Sequence, residues 1–481
     1  MISNLEPKKV FTFFEEISNI PRESGNEAQI VEYLRAFAEK RNLEFIVQKD
    51  LLNVIIKKPG TPGYENSKPV ILQGHTDMVC EKNGDVVHDF SKDPIKLLID
   101  GDYITADGTT LGADNGIAVA YGLALLDSDD IAHPPLEILL TCEEETSMAG
   151  AEHLDASLLA GKTVINLDSE EEGYFYVSSA GGVDHRIYIP TNRCDTDKTL
   201  SFFKLTVKGL RGGHSGGDIH KVRGNANKII GRVLHRINKA MDLEIVSLSG
   251  GSKINAIPRE AASEIGIAPN SITDLKSLLA TIEAEINNEF KGEDKVLLGL
   301  EETNNSKKIL TPEIKKALIG LLNALPNGVH TMSSEIEGLV QSSNNVGVVE
   351  EKEDEFVIYI SARSSIGSLR ALIVDNLSII AEAFNMKWES DSEYPEWEYQ
   401  KESHIRGVVC DVYKRMYGKD ARIEAIHAGL ECGFLAQKLN PADIISLGPD
   451  IFDVHCPDEK MSISSTKRVW EFLVEVLKEL K

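Results

Sequence analysis

Three short apolar runs in this chain end in side chains that can hold a cation. Val70-Ile71-Leu72-Gln73-Gly74 leads into His75-Thr76-Asp77. An unbroken apolar run suits a buried parallel strand, and residues two apart on a strand point the same way. His75 and Asp77 therefore project together, which suits an imidazole ligand with a carboxylate behind it fixing the tautomer. Leu136 to Thr141 delivers Cys142-Glu143-Glu144-Glu145, and Thr163 to Leu167 delivers Asp168. Asp114 stands just before the Ala- and Leu-rich helix expected from Ile117 to Leu126. Taken singly, Asp114 reads equally as a helix cap and the Glu run as a solvated surface. Together they gather at strand ends, where ligands collect in open α/β sheets. The carboxylates still lack a second nitrogen, and His455 in His455-Cys456-Pro457-Asp458-Glu459 supplies one.

Two divalent ions about 3.5–4 Å apart need a bridging carboxylate and can share an activated water. In this inventory Asp114 bridges, His75 and Asp168 complete one ion, and Glu145 and His455 complete the other. Glu144 leaves an extended strand on the face opposite Glu145, so a turn at the strand end is required to bring both inward. It is then free to act as general base, its proton passing later to a leaving amine. Asp77 orients His75. Zinc accepts such a mixed set, as do manganese and cobalt.

Elements with matching periodicity position these residues. Helical spacing covers Val10 to Ile17 and Ala28 to Lys40, and strands are expected at Leu43 to Val47 and Asn53 to Ile56. A hairpin-bearing excursion fills Asp85 to Gly108. From about Val183 the texture changes to alternating strands (Phe202 to Val207, Ser252 to Ile257, Phe356 to Ala362) between amphipathic helices. This reads as an α+β domain of residues 183–393 inserted into an α/β catalytic domain, 1–182 and 394–481, with a mixed, mostly parallel sheet flanked by helices. Gly212-Gly213-His214-Ser215-Gly216 puts a histidine on a loop whose backbone can approach a ligand closely.

At 481 residues the chain exceeds one ordinary core, and 42% hydrophobic with 26% charged residues is the composition of a soluble protein. A net charge of -25 disfavours nucleic acid and anionic membranes as partners. No apolar run is long enough for a bilayer, and the N-terminus lacks a signal-peptide pattern. Six scattered cysteines without Cys-x-x-Cys point to a reducing, cytoplasmic setting.

The motifs Gln73–Val79, Leu111–Gly116, Glu144-Glu145 before Met148–Ala151, Asn166–Gly173, Gly212–Gly216, Asn255–Pro258 and His455–Glu459 together resemble one family. It is the co-catalytic zinc metallopeptidases that include glutamate carboxypeptidases, aminoacylases and carnosinases, and within it the bacterial cytosolic aminoacyl-histidine dipeptidases. The resemblance spans essentially the whole chain. It implies the ligand roles drawn above, a dipeptide substrate, and a homodimer formed through the inserted lid domain. It further implies that His214, from its own or the partner's lid, stabilises the oxyanion. Asn255, Arg363 and Gly429 are implied to hold the substrate's carboxylate or carbonyl end. Relatives often read Glu-Glu-Ala-Gly after the strand, whereas here Glu143 precedes the pair and Thr146-Ser147 follows, so a slip to Glu143/Glu144 stays open. Two other activities remain: an N-acyl amino acid amidohydrolase with the same site, or a non-catalytic relative acting by assembly.

Overall fold

Val70–His75 is buried along its whole length, with a neighbouring strand on either side. This is what an apolar run without alternation requires: both faces must be covered. The computed structural model describes residues 1–48, 50–290, 294–303 and 308–481. They form two compact units. The first comprises Met1–Ser178, Tyr399–Ala425 and Leu430–Lys481, and the second Ser179–Glu398 with Ile426–Gly429.

The first unit is built on an eight-stranded sheet. Its strands are β1 (Glu44–Val47), β2 (Val54–Lys58), β3 (Val70–His75), β4 (Leu136–Thr141), β5 (Thr163–Asn166), β6 (Tyr174–Ser179), β7 (Arg422–Ile426) and β8 (Asp443–Ser446). Their spatial order is β1-β2-β4-β3-β5-β8-β6-β7. The central strands β4, β3, β5 and β8 run parallel, and antiparallel pairs flank them. The carboxyl ends of β3, β4 and β5 therefore open on one edge of the sheet. Helix α1 (Ala113–Leu126) lies directly on β3, and its regular turns start only after Asn115. The contact depends on Gly74, where a Cβ would meet Asn115 Oδ1 at 2.3 Å and Ala118 Cβ at 2.4 Å. Gly74→Ala is expected to push α1 off the strand at a cost of about 1–3 kcal/mol, read as a lowered midpoint in chemical denaturation.

The second unit holds a sheet of nine strands among the described residues, antiparallel throughout its paired registers. Helices Ala226–Ala240, Ile272–Glu289, Pro312–Ala324 and Gly367–Ala383 share one apolar core with it. The strand expected over Ser252 to Ile257 is a correction: only Ala256–Ile257 pairs, with Gly213–His214. Gly251 takes φ +73° and Ala256 N–H closes a turn on Lys253 O at 3.2 Å, so the long strand falls earlier, at Leu243–Gly250. No helix among the described residues is long and apolar enough to cross a membrane.

Candidate active site

The first unit brings His75, Asp77, Asp114, Glu144, Glu145, Asp168 and His455 together. His75 Nδ1 faces Asp77, 3.3 Å from Oδ1 and 3.1 Å from the backbone oxygen. That leaves Nε2 turned the other way, 3.2 Å from Asp114 Oδ1 and 3.4 Å from Asp168 Oδ1. His455 Nε2 lies 3.1 Å from Asp114 Oδ2 and 3.0 Å from Glu145 Oε2. The two oxygens of Asp114 are thus divided between the two histidines. Asp114 does not act as a helix cap: its side-chain oxygens are turned to His75 and His455.

The turn required to bring both glutamates inward is present. After β4 the chain passes through Glu143 at φ +54° into a single helical turn, Glu144–Ser147. Asp77 holds that turn as well as His75. It accepts the N–H of Glu144 on Oδ1 at 3.1 Å, the N–H of Glu145 on Oδ2 at 3.2 Å, and the Ser24 hydroxyl at 2.7 Å. Burial opposes the Asp77 charge, but His75 first, then the Ser24 hydroxyl and the Glu145 N–H, bring its pKa to about 2, so it stays a carboxylate. Three overlapping groups of possible ligand atoms lie within 4.8 Å of one another: His75/Asp114/Asp168, His75/Glu144/Glu145 and Asp114/Glu145/His455. Glu143 is in none of them, and its N–H is bonded to Glu27 at 3.0 Å.

The donor set fits a pair of divalent cations. Glu145 Oε1 is buried without a hydrogen-bond partner, and buried Asp168 Oδ1 makes no hydrogen bond beyond its long 3.4 Å contact with His75, an arrangement proteins rarely leave uncompensated. Burial and neighbouring carboxylates push Asp168 up to about 6 and Glu144 well above the carboxylate range. Hydrogen bonds that His455 donates to Asp114 and Glu145 raise its pKa to about 11. The cluster therefore demands positive charge, as protons or as metal. The sign of its pH dependence follows. Groups with raised pKa hold more protons folded than unfolded, so their contribution is full at low pH and is lost as pH rises. Metal-free protein should accordingly melt at lower temperature at pH 8 than at pH 5.5, and cation loading should weaken that trend by displacing the protons. Parallel thermal melts with and without chelator check it.

Several supporting groups escaped the sequence reading. Asn115 accepts the His75 N–H at 3.3 Å and donates to Leu167 O at 2.9 Å, tying β3 to the end of β5. Glu431 is fully buried and takes hydrogen bonds from Gln73 at 2.5 Å and Thr141 at 2.8 Å; burial raises its pKa to about 7. Arg22 and Glu459 are buried charges beside the Asp114 turn. Asn115 and Glu459 carried a signal, their places in the Leu111–Gly116 and His455–Glu459 motifs.

The remaining expected residues lie in the second unit. His214 is exposed, and its Nδ1 accepts the N–H groups of Gly216 at 3.2 Å and Gly217 at 3.0 Å. This fixes the proton on Nε2, which is left as a donor. Asn255 lies beside it, its carbonyl accepting the Ser215 N–H at 2.8 Å. Arg363 donates to the Tyr394 hydroxyl at 2.7 Å. Gly429 closes the 426–429 segment, where His427 Nε2 lies 2.7 Å from Ser343 Oγ. Burial, then the Arg363 charge, draw the His427 pKa down to about 3, so the ring is neutral near pH 7.

A mixed α/β unit with a dinuclear-type carboxylate–histidine cluster at the ends of its parallel strands, joined to an α+β unit, defines the class. The chain belongs to peptidase family M20/M25/M40, whose pattern it matches over residues 71–479. It is 42% identical to the cytosol non-specific dipeptidase of Escherichia coli (strain K12), over 100% of this chain and 99% of that one. The crystal structure of aminoacylhistidine dipeptidase from Vibrio alginolyticus superposes with a TM-score of 0.94 at 40% identity, covering 100% of this chain and 98% of that chain. Aminopeptidase PepT from Bacillus cereus shares the fold at a TM-score of 0.58 and 16% identity, with 99% of each chain covered.

Proposed function

We propose that this chain is a metal-dependent dipeptidase acting on dipeptides with a free N-terminus, Xaa-His among them. The observation that carries this is the division of Asp114 between His75 and His455, with Asp168 beside the first and Glu145 beside the second. Full-length similarity to two dipeptidases supports the substrate class. His75, Asp114 and Asp168 would hold one divalent ion, and Asp114, Glu145 and His455 the other. Zinc is the ion we assign, with manganese and cobalt as the alternatives a reconstitution series separates. When bound, such a pair polarises the carbonyl and lowers the pKa of water toward neutrality.

The chain's own groups do the rest. Glu144 takes the proton of the attacking water on its carboxylate and returns it to the leaving amine. Asp77 keeps Nδ1 of His75 protonated and Nε2 available, and fixes the turn that carries Glu144. His214 offers Nε2–H to the carbonyl oxygen as it gains charge, from its own subunit or from a partner's. Asn255, Arg363 and Gly429 hold the carboxylate or carbonyl end of the dipeptide. Arg363→Met should then raise KM roughly 10- to 100-fold, with a smaller effect on kcat, measured by dipeptide hydrolysis; loss of a charge-assisted hydrogen bond is worth about 1.5–3 kcal/mol.

We further assign residues 183–393 as the inserted domain through which a homodimer forms, in the cytoplasm, with neither nucleic acid nor membrane as partner. Light scattering on the purified protein tests the dimer. The substrate reading is tested with a dipeptide panel and the same dipeptides N-acetylated, after reconstitution with zinc, manganese or cobalt. Hydrolysis confined to free N-termini is expected. Comparable kcat/KM on the acetylated series would make the protein an N-acyl amino acid amidohydrolase instead.

A further inference from the structure

The turn that presents Asp114 is gripped by two buried side chains of opposite charge. Glu459, 2% exposed, accepts four consecutive backbone N–H groups. Its Oε2 takes those of Leu111 at 2.7 Å and Gly112 at 2.9 Å, and its Oε1 those of Ala113 at 2.8 Å and Asp114 at 3.3 Å. These include the first N–H groups of α1, which no carbonyl of the helix can satisfy. Arg22, also 2% exposed, grips the other side. Its Nη2 donates to Gly112 O at 2.6 Å, and its Nη1 to Thr76 O and Asp77 O at 3.1 Å each. Gly112 takes φ +69°, and a Cβ there would lie 2.4 Å from Arg22 Nη2 and 2.7 Å from Met78 Sδ. The turn has no room to shift toward Arg22. Burial lowers the Arg22 pKa, and Glu459 is the largest charge sustaining it.

The reach of the two side chains matters more than their stabilising value. Arg22 joins the backbone just after His75 to the Asp114 turn. Glu459 joins that turn to the segment that carries His455, since its own N–H closes on Cys456 O at 3.0 Å. Three separate pieces of chain, each with one ligand of the cluster, are held in register by groups outside the cluster.

We propose that Arg22 and Glu459 are positioning residues that set the cation affinity of the centre by fixing Asp114 between His75 and His455 before any cation arrives. This rests on the dinuclear reading above. Side chains that orient ligands without touching the metal typically change affinity 10- to 100-fold when replaced.

The test is competition with a chromophoric chelator, plus metal analysis, on the full-length wild type, Glu459→Gln and Arg22→Lys. Glu459→Gln keeps the size but turns an NH2 toward backbone donors. Arg22→Lys keeps the charge but loses the fork that spans three carbonyls. Each variant is expected to bind zinc roughly 10- to 100-fold more weakly, with kcat at saturating zinc returning to within about threefold of wild type. A merely structural role would lower the melting temperature and leave zinc affinity of the folded protein unchanged; that result overturns the proposal. Amide hydrogen exchange on metal-free wild type gives a second check that needs no variant. Protection of the Leu111–Asp114 amides without metal is expected. Exchange at unprotected rates until zinc is added would make the clamp a consequence of binding and sink the idea. Wild type that binds no divalent cation would instead overturn the dinuclear reading itself.

Discussion

Replacing Glu144 by Gln should lower kcat by roughly 10²- to 10⁴-fold while two cations stay bound. The carboxylate sits on the turn that Asp77 anchors through two N–H groups, so the amide should keep the same backbone position. The geometry makes this variant decisive, because Glu144 also lies within ligand distance of His75 and Glu145. If Glu144 were a ligand, metal would leave with the carboxylate. If it is the base, metal analysis of Glu144→Gln will match wild type and only turnover will fall. The metal-free variant should also melt higher than metal-free wild type. The substitution removes a buried carboxyl that burial and its neighbours Asp168, Glu431 and Glu145 hold well above the ordinary range. Near-normal kcat in Glu144→Gln would remove the base assignment.

Asp114→Asn should have a different signature, with both cations lost and activity lost with them. The two oxygens of Asp114 face His75 and His455, one each. Neutralising it withdraws a charged ligand from each ion at once. Removing one partner of a buried charge pair costs about 3–5 kcal/mol, roughly 10²- to 10³-fold or more in affinity for each ion. A variant of Asp168 or Glu145, by contrast, should weaken one ion more than the other. Metal analysis after dialysis against micromolar zinc, for Asp114→Asn beside Asp168→Asn, separates a shared ligand from a private one.

What could be read from the chain depended on how local the physics is. The runs before His75, Glu144 and Asp168 announce buried strands because a parallel strand covered on both faces must be apolar throughout. The polar side chains at their ends were legible for the same reason, since a polar residue closing such a run has to face something. Val340–Glu351 is the opposite case. Ser342, Ser343, Asn344 and Asn345 carry no apolar run or alternation, yet each is 1% exposed in the middle of a sheet. Their polarity is satisfied at long range, as when Asn345 donates to Ile254 O and Ala256 O, which no periodicity reveals. Lys387–Tyr394 is a polar, largely exposed edge strand and left no apolar signal. Arg22 was equally silent. Its three acceptors come from two segments more than fifty positions away, and only the topology brings them within reach. Glu431 follows the same rule, a buried acid whose partners Gln73 and Thr141 sit on two other strands.

The central claim is that one aspartate is shared by two cations. Anomalous diffraction at the zinc edge, from crystals grown with zinc, addresses it without relying on turnover. Two peaks about 3.5–4 Å apart are expected astride Asp114. One should lie about 2 Å from His75 Nε2 and an Asp168 oxygen, the other equally close to His455 Nε2 and a Glu145 oxygen. A single peak, or zinc bound away from Asp114, would contradict the account.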